Sequence, residues 1–284
     1  MGAGAAVCSA LAGAAILSLA APAGASPSSA SPAPGRGPSA VHALHLRAMP
    51  IGTVAFGRRS HGRLTVRANV FGLTPGSSHD VDLVLPGRRW PVRFSPLTAN
   101  GVGQAHATLR SSFTGRLPRG SRLLVRMGTY GSRVAREPIA ETGRLTHPGH
   151  WHRLIAVEVG VGGHRWGTPR GRATISYSAR RHTLTVTVQA SRITPGPHAA
   201  HIHLGSCRRQ GPVAYMLRDL VANRHGRIAH AVRVFTNVTA PIPAHGWYLN
   251  IHQGNSANIL SNGQPTIYFR PLLCADIRGT RSIS

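Results

Sequence analysis

Apolar and polar residues alternate over short stretches along most of this chain from residue 41 onwards. In the run LTVTVQA at 184–190, every second residue is apolar. Because successive side chains of a strand point to opposite faces, this two-residue period predicts a half-buried β-strand. Similar short runs occur, between turn signals such as TPG, ANRHG and SNG, at 154–160, 171–178, 199–204, 213–221, 227–235, 247–253 and 266–277. About eight strands in roughly 125 residues predict an all-β fold of Greek-key sandwich or barrel type.

The chain also repeats itself. Three blocks recur in the same order with little drift in spacing: GRLTVRANVFGLTPG (62–76) with HTLTVTVQASRITPG (182–196), LTANGVGQAHA (97–107) with LVANRHGRIAHA (220–231), and GSRLLVRMG (120–128) with GWYLNIHQG (246–254). Repetition of this kind indicates internal duplication. We therefore predict two tandem β repeats, the first at 41–145 and the second at 146–284.

The start of the chain has the features of an export signal. Residues 1–25 carry no charged side chain and end in Ala23-Gly24-Ala25, which is the pattern of signal-peptidase sites. A membrane anchor is the alternative, although the apolar stretch is short for a span. Residues 26–40 (SPSSASPAPGRGPSA) predict a disordered leader. No later stretch is long and apolar enough to cross a bilayer, so we expect a secreted or otherwise extracytoplasmic protein with no transmembrane segment in its mature chain.

Removal of the signal peptide would take Cys8 with it and leave two cysteines, Cys207 and Cys274. An even pair in an exported protein favours one disulfide, and two free thiols are the alternative.

The charge is strongly one-sided. The chain has a formal net charge of +26, and all 33 of its basic residues are arginine. Such a field attracts polyanions, so an anionic surface or polymer is a candidate partner. The arginines are spread over both repeats and only 5% of residues are aromatic, so we expect no specific nucleic-acid binding. The complete lack of lysine is equally what the codon usage of a GC-rich genome would produce. Seven scattered acidic residues also disfavour an enzyme built on paired carboxylates.

Histidines in the second repeat are the candidate chemistry. In HAAHIHLGSC (198–207), His201 and His203 share one strand face while Ile202 and Leu204 turn toward the core. In GWYLNIHQG (246–254), His252 shares a face with Tyr248 and Asn250. Two strands could then bring three imidazoles to one point, and three neutral imidazoles suit copper or zinc. Solvated histidines on an exposed strand are the alternative.

The first repeat lacks these histidines. Our alignment places Asp80 and Asp82 at the His-x-His positions and Arg126 at the position of His252. We therefore hypothesise that an Asp80/Asp82–Arg126 ion cluster takes the place of a metal there; independent drift of three exposed positions is the alternative.

Two families resemble the second repeat. HIHLGSCRRQGPVAYMLRDL followed by GWYLNIHQG resembles the CHRD domain of chordin and of bacterial exported proteins, over about residues 171–277. The same segments are similar to copper/zinc superoxide dismutase. That resemblance implies copper ligands at His201, His203 and His252, a Cys207–Cys274 disulfide, and Arg270 as a group that steers superoxide.

The departures from the dismutase pattern weigh against that enzyme. No histidine lies between His203 and His225, so the bridging histidine and the zinc loop of dismutases have no counterpart. A fourth ligand could come from His198, His225, His230 or His245. We expect a CHRD-like binding or structural module with a copper site, zinc being the weaker candidate, and a copper-dependent dismutase-like oxidoreductase as the alternative. The sequence does not decide whether the protein is an enzyme, and it leans against enzymatic activity.

Overall fold

The computed structural model describes residues 41–278 except Tyr130, Ser132, Arg133, 146–149 and Val161. It confirms the all-β prediction: two eight-stranded antiparallel sheets each curl into a half-barrel, and the described residues contain no α-helix. The predicted signal peptide and leader lie outside the described residues. Within the described part, no helix is long and apolar enough to cross a membrane.

The strands run in chain order as follows: β1 (Val41–Ala48), β2 (Ile51–Arg58), β3 (Leu64–Phe71), β4 (Ser78–His79), β5 (Val81–Val84), β6 (Val92–Arg93), β7 (Leu97–Thr98), β8 (Gln104–Arg110), β9 (Arg122–Arg126), β10 (Pro138–Thr142), β11 (Trp151–Ala156), β12 (Glu158–Val159), β13 (Arg165–Gly167), β14 (Arg170–Ser178), β15 (Thr183–Ser191), β16 (Gly196–His198), β17 (Ala200–Leu204), β18 (Val213–Met216), β19 (Leu220–Ala222), β20 (Arg227–Phe235), β21 (Trp247–His252), β22 (Leu260–Ser261), β23 (Gln264–Pro265) and β24 (Pro271–Ile277). Short 3-10 turns lie at Ser60–Gly62, Val134–Arg136 and Ile267–Phe269.

The two large sheets have the same internal order. The first reads β6-β5-β9-β10-β11-β2-β3-β8 and the second β18-β17-β21-β24-β1-β14-β15-β20. At seven of the eight positions, a strand of the second half replaces its counterpart from the first, which is the arrangement that a duplicated sequence would give. The predicted boundary at residues 145/146 stays a prediction.

One strand of each sheet comes from the other half of the sequence. Strand β1 pairs with β14 and β24 in the second sheet, while β11 pairs with β2 and β10 in the first. The incoming strand lies opposite a glycine in each sheet: Leu46 of β1 lies opposite Gly171, and Leu154 of β11 lies opposite Gly52. A Cβ on Gly171 would come within 2.8 Å of Leu46 Cδ1. With the predicted division at residues 145/146, the two halves exchange equivalent strands within a single chain.

Each half-barrel encloses its own hydrophobic core. Val66 and Leu123 are fully buried in the first core, and Val186 and Leu249 are fully buried in the second. A third, smaller cluster joins Met49, at the end of β1, to Tyr248, Cys207 and Cys274. It lies on the face of β21 and β24 that points away from the second core, which is also the face that carries the histidines.

Candidate metal centre

The three predicted histidines lie on two adjacent strands. Strands β17 and β21 pair antiparallel, with His201 opposite Asn250 and His203 opposite Tyr248. Ile202 turns into the second core, as expected. The expectation for Leu204 was wrong: it is 44% exposed, because β17 ends at this residue.

The structure brings His201, His203 and His252 together. One ring nitrogen from each lies within 4.8 Å of the others, and His201 Nδ1 is 3.2 Å from His252 Nε2. Two nitrogens bound tetrahedrally to one ion at about 2.0–2.1 Å would be roughly 3.3 Å apart. The His201–His252 pair therefore already has the spacing of two ligands of one metal ion.

Main-chain carbonyls fix the orientation of two of the rings. His252 Nδ1 donates to the carbonyl oxygen of Phe269 at 2.5 Å, and His203 Nδ1 donates to that of Gly211 at 2.9 Å. Each bond leaves the Nε2 lone pair directed into the cluster, and such outer partners are what metal-bound histidines usually have. Among the described residues, the buried His203 Nε2 has no hydrogen-bond partner.

Burial keeps the rings neutral. His201, His203 and His252 are 4%, 2% and 0% exposed. Burial lowers the pKa of His201 to about 4, assisted by the neighbouring His203 and opposed by Asp219, and lowers that of His252 to about 3. The pKa of His203 is lowered for the same reason. Neutral imidazole is the form that binds metal, so the site is ready to bind at neutral pH.

Asn250 completes the wall of the cluster, and the sequence reasoning did not single it out. Its Nδ2 lies 3.4 Å from His252 Nε2, and its buried Oδ1 has no hydrogen-bond partner among the described residues. The strand alternation had already placed Asn250 on the same face as His252. A polar side chain on that face was the signal that could have identified it as part of the cluster. Tyr248 stacks on His203 with ring centroids 5.0 Å apart.

The Cys207–Cys274 disulfide is present, with an S–S distance of 2.01 Å. Cys274 lies on β24 directly opposite Asn250, so the cross-link ties the segment after β17 to the strand beside the cluster. Cys207 N also donates to Asp276 Oδ1 at 2.7 Å. The disulfide closes a loop with a sequence separation of 67 residues, which corresponds to about 4 kcal/mol of stabilisation by loss of chain entropy.

The proposed additional ligands are not part of the cluster. His198 is buried, but its two ring nitrogens lie 3.0 Å from the carbonyl oxygen of His252 and 2.7 Å from that of Thr194. His225, His230 and His245 are exposed. Within the described ranges, the metal-competent group consists of the three predicted histidines.

The expectation that Arg270 steers an anion was wrong. Its side chain is 2% exposed and donates from Nη2 to Glu158 Oε2 at 2.6 Å and from Nε to Gln253 Oε1 at 2.9 Å. Glu158 is fully buried, and that burial raises the pKa of its carboxyl group while Arg270 opposes the rise. Arg270 therefore pairs with a buried carboxylate and is not available to solvent.

The first half carries an ion pair at the corresponding place. Arg126 Nε donates to Asp82 Oδ2 at 2.9 Å, and Asp82 is fully buried. Asp82 lies opposite Leu124 as His201 lies opposite Asn250. The register therefore equates Asp82 with His201, Val84 with His203 and Arg126 with His252.

The sequence alignment of this region was shifted by two residues. Asp80 N bonds the carbonyl oxygen of Gly128, as Ala199 N bonds that of Gly254, so Asp80 corresponds to Ala199. The hypothesised cluster is confirmed for the Asp82–Arg126 pair, while the position given to Asp80 was wrong.

These features define an all-β protein of two repeated half-barrels, the second of which holds a buried three-histidine group that could bind a metal ion. Residues 163–258 match the CHRD domain, so the chain contains a CHRD domain over about a third of its length. The matched range includes all three histidines and ends before β24. No curated protein matches the chain.

Proposed function

We propose that this chain is an exported copper-binding protein whose CHRD domain holds one copper ion through His201, His203 and His252. It acts as a binding or structural module outside the cytoplasm. The observation that carries the proposal is the convergence of three buried, neutral imidazoles, two of them fixed by main-chain carbonyls with their Nε2 lone pairs directed inward. A bound copper ion would supply one-electron redox chemistry.

The donor set favours copper over zinc. Imidazole suits both metals, and a given nitrogen site generally binds divalent copper more tightly than divalent zinc. The ligand set is also neutral, because no carboxylate belongs to the cluster among the described residues. The whole charge of the ion would then remain in a buried site, where a monovalent ion costs less to desolvate than a divalent one. Zinc has no monovalent state to use here. Rotation of the Asn250 amide by 180° would turn its Oδ1 toward His252 Nε2, where Nδ2 lies at 3.4 Å, and that oxygen could then join the three nitrogens.

Burial supports a binding role over dismutase-like turnover. A dismutase must admit superoxide to its copper, yet each of the three histidines is at most 4% exposed. The arginine that would attract the anion is held by Glu158. Superoxide dismutation remains the alternative function, and activity of the copper-loaded protein tests it.

Export is part of the proposal. The disulfide is consistent with an oxidising compartment outside the cytoplasm. The signal peptide proposed at residues 1–25 would direct the chain there and is cleaved in this scheme.

Metal analysis of the exported protein tests the proposal. We expect about one copper per chain after exposure to equimolar copper and zinc, and at least a tenfold loss of copper affinity in His203→Ala and His252→Ala. His230→Ala is the matched control, because this exposed histidine of β20 should leave copper binding unchanged. Wild-type protein that binds no copper, or variants that bind it undiminished, would overturn the assignment. Superoxide turnover above that of free copper would instead favour the dismutase-like alternative.

A further inference from the structure

Basic side chains line two adjoining depressions on the outer face of the second sheet. One, of about 460 Å³, is lined by His45, Arg170, Arg172 and Arg227; the other, of about 510 Å³, shares His45 and adds Arg47 and Arg278. We call these six residues the basic strip. Its members lie on strands β1, β14 and β20 and directly after β24, and all six residues are exposed.

The strand register aligns these side chains in rows. His45 of β1 lies opposite Arg172 of β14, and Arg170 lies opposite Ser191, which in turn lies opposite Arg227 of β20. Arg170 and Arg172 are two residues apart on one strand, or about 6.6 Å along it, and adjacent strands are about 4.8 Å apart. Arg170 is therefore about 6.6 Å from Arg172 along one strand and about 9.6 Å from Arg227 across two strands, measured along the backbone.

Little negative charge balances the strip. No acidic residue lines the first depression, and the second contains only Asp276, whose Oδ1 accepts from Cys207 N. None of the four ion pairs among the described residues involves a member of the strip. Gln189 Oε1 accepts from Arg172 Nε at 2.5 Å and holds that guanidinium in place.

The first sheet shows that the scaffold does not require these charges. Its strand register puts Thr53 at the place of Arg172, Ile51 at that of Arg170 and Ile155 at that of Arg47. Gln104, opposite Phe71, takes the place of Arg227. Four of the six strip positions therefore carry no charge in the first sheet, whereas Arg153 takes the place of His45 there.

We propose that the basic strip binds a linear, phosphate-bearing polymer outside the cell. Guanidinium groups bind phosphate in bidentate fashion, and a row of them fits a chain of phosphates better than a single anion. The members lie on strands β1, β14 and β20, so a thin polymer lying across the strands would meet them in turn. Nucleic acid fits less well, because no Phe, Tyr or Trp lines either depression to stack on a base. This site is separate from the copper proposal and does not depend on it.

Titration with long-chain inorganic polyphosphate tests the strip. The triple variant Arg170→Gln/Arg172→Gln/Arg227→Gln removes three charges from it. The matched control Arg67→Gln/Arg110→Gln/Arg153→Gln removes three exposed charges from β3, β8 and β11 of the first sheet. We expect the strip variant to bind at least tenfold more weakly, and the slope of log affinity against log salt to fall by about two to three. The control should lose no more than about threefold. Unchanged thermal unfolding and copper content would show that both variants are folded.

Three outcomes would overturn the proposal. Equal losses in the strip variant and the control would show attraction by net charge alone. Strip-dependent binding of single-stranded DNA that is tighter than that of polyphosphate would assign the strip to nucleic acid. Strip-dependent binding to vesicles of anionic phospholipid that exceeds the binding to polyphosphate would assign it to a membrane surface.

Discussion

The two halves of this protein share a sheet order but differ at the three positions where the second half places its histidines. Asp82 and Arg126 form a buried ion pair in the first half, and His201 and His252 lie 3.2 Å apart in the second. In the first half the cation is a guanidinium of the chain itself. In the second, the proposed cation comes from outside. The comparison shows that the same arrangement of strands can hold an ion pair between its own side chains or present a histidine group that could bind a metal ion.

The surroundings of these positions are common to both halves. Arg126 Nη1 donates to the carbonyl oxygen of Arg136 at 2.7 Å, as His252 Nδ1 donates to that of Phe269. His79 Nδ1 lies 2.9 Å from the Arg126 carbonyl oxygen, as His198 Nδ1 lies 3.0 Å from that of His252. The difference between the halves is therefore concentrated in a few side chains, which can be exchanged experimentally.

The largest effect is expected from moving the histidines into the first half. The triple variant Asp82→His/Val84→His/Arg126→His should raise the copper content from one to two ions per chain, because the register equates these positions with the natural cluster. The carbonyl of Arg136 is in place to orient the new ring at 126. Metal analysis and spectroscopic titration give the stoichiometry. The double variant that keeps Val84 is the control and should hold the second ion at least tenfold more weakly; a folded triple variant that binds only one ion would show that the halves differ in more than these residues.

A smaller but substantial effect is expected from breaking the ion pair of the first half. Arg126→Met leaves the carboxylate of Asp82 buried without its guanidinium, which should cost about 3 kcal/mol of unfolding free energy. Urea denaturation of the metal-free protein measures it. Arg122→Met is the control on the same strand, since its contact with Glu141 is 3.9 Å long and half exposed, and should cost less than about 1 kcal/mol. The double variant Asp82→Leu/Arg126→Met should recover most of the loss, and equal losses for the two single variants would contradict the role given to the pair.

The sequence was sufficient to predict the local features of the site. Two-residue alternation placed His201 and His203 on one face, and it needed only the pairing of two neighbouring strands to add His252. The count of cysteines after removal of a signal peptide left a single pair, Cys207 and Cys274, for the disulfide. Each of these inferences depends on spacing along one or two strands.

Features that depend on register and on distant partners were missed. Asp80-Val-Asp82 has the same alternation as His201-Ile-His203, so alternation alone could not reveal that the alignment of the two repeats was shifted by two residues. The cross-strand pairing shows the correct alignment. Alternation shows which face of β1 is apolar but not which sheet the strand joins, so the exchange of β1 and β11 left no local signal. Arg270 was expected to steer superoxide because the resemblance to dismutases implies that role, and no local pattern indicates that it is buried. Its partner Glu158 lies 112 residues away in the sequence.

The smallest effect concerns the pH dependence that His79 gives to the first half. Burial, assisted by the charge of Arg270, lowers the pKa of His79 to about 4, whereas an unfolded histidine titrates near 6.5. Between these values the unfolded chain binds a proton that the folded chain does not, so stability is complete above about pH 6.5 and is lost as the pH falls toward 4. In His79→Gln, the slope of unfolding free energy against pH between 6 and 4.5 should fall by up to one proton, or about 1.4 kcal/mol per pH unit.

This slope is measured by urea denaturation of the metal-free protein across that range, with His106→Gln as the control for an exposed histidine of the same half. The buried histidines of the second half contribute to the slope in both variants and cancel in the comparison. A His79→Gln protein with the wild-type slope would show that this ring is protonated in the folded state. The first half would then carry a second cation beside Arg126 at acidic pH.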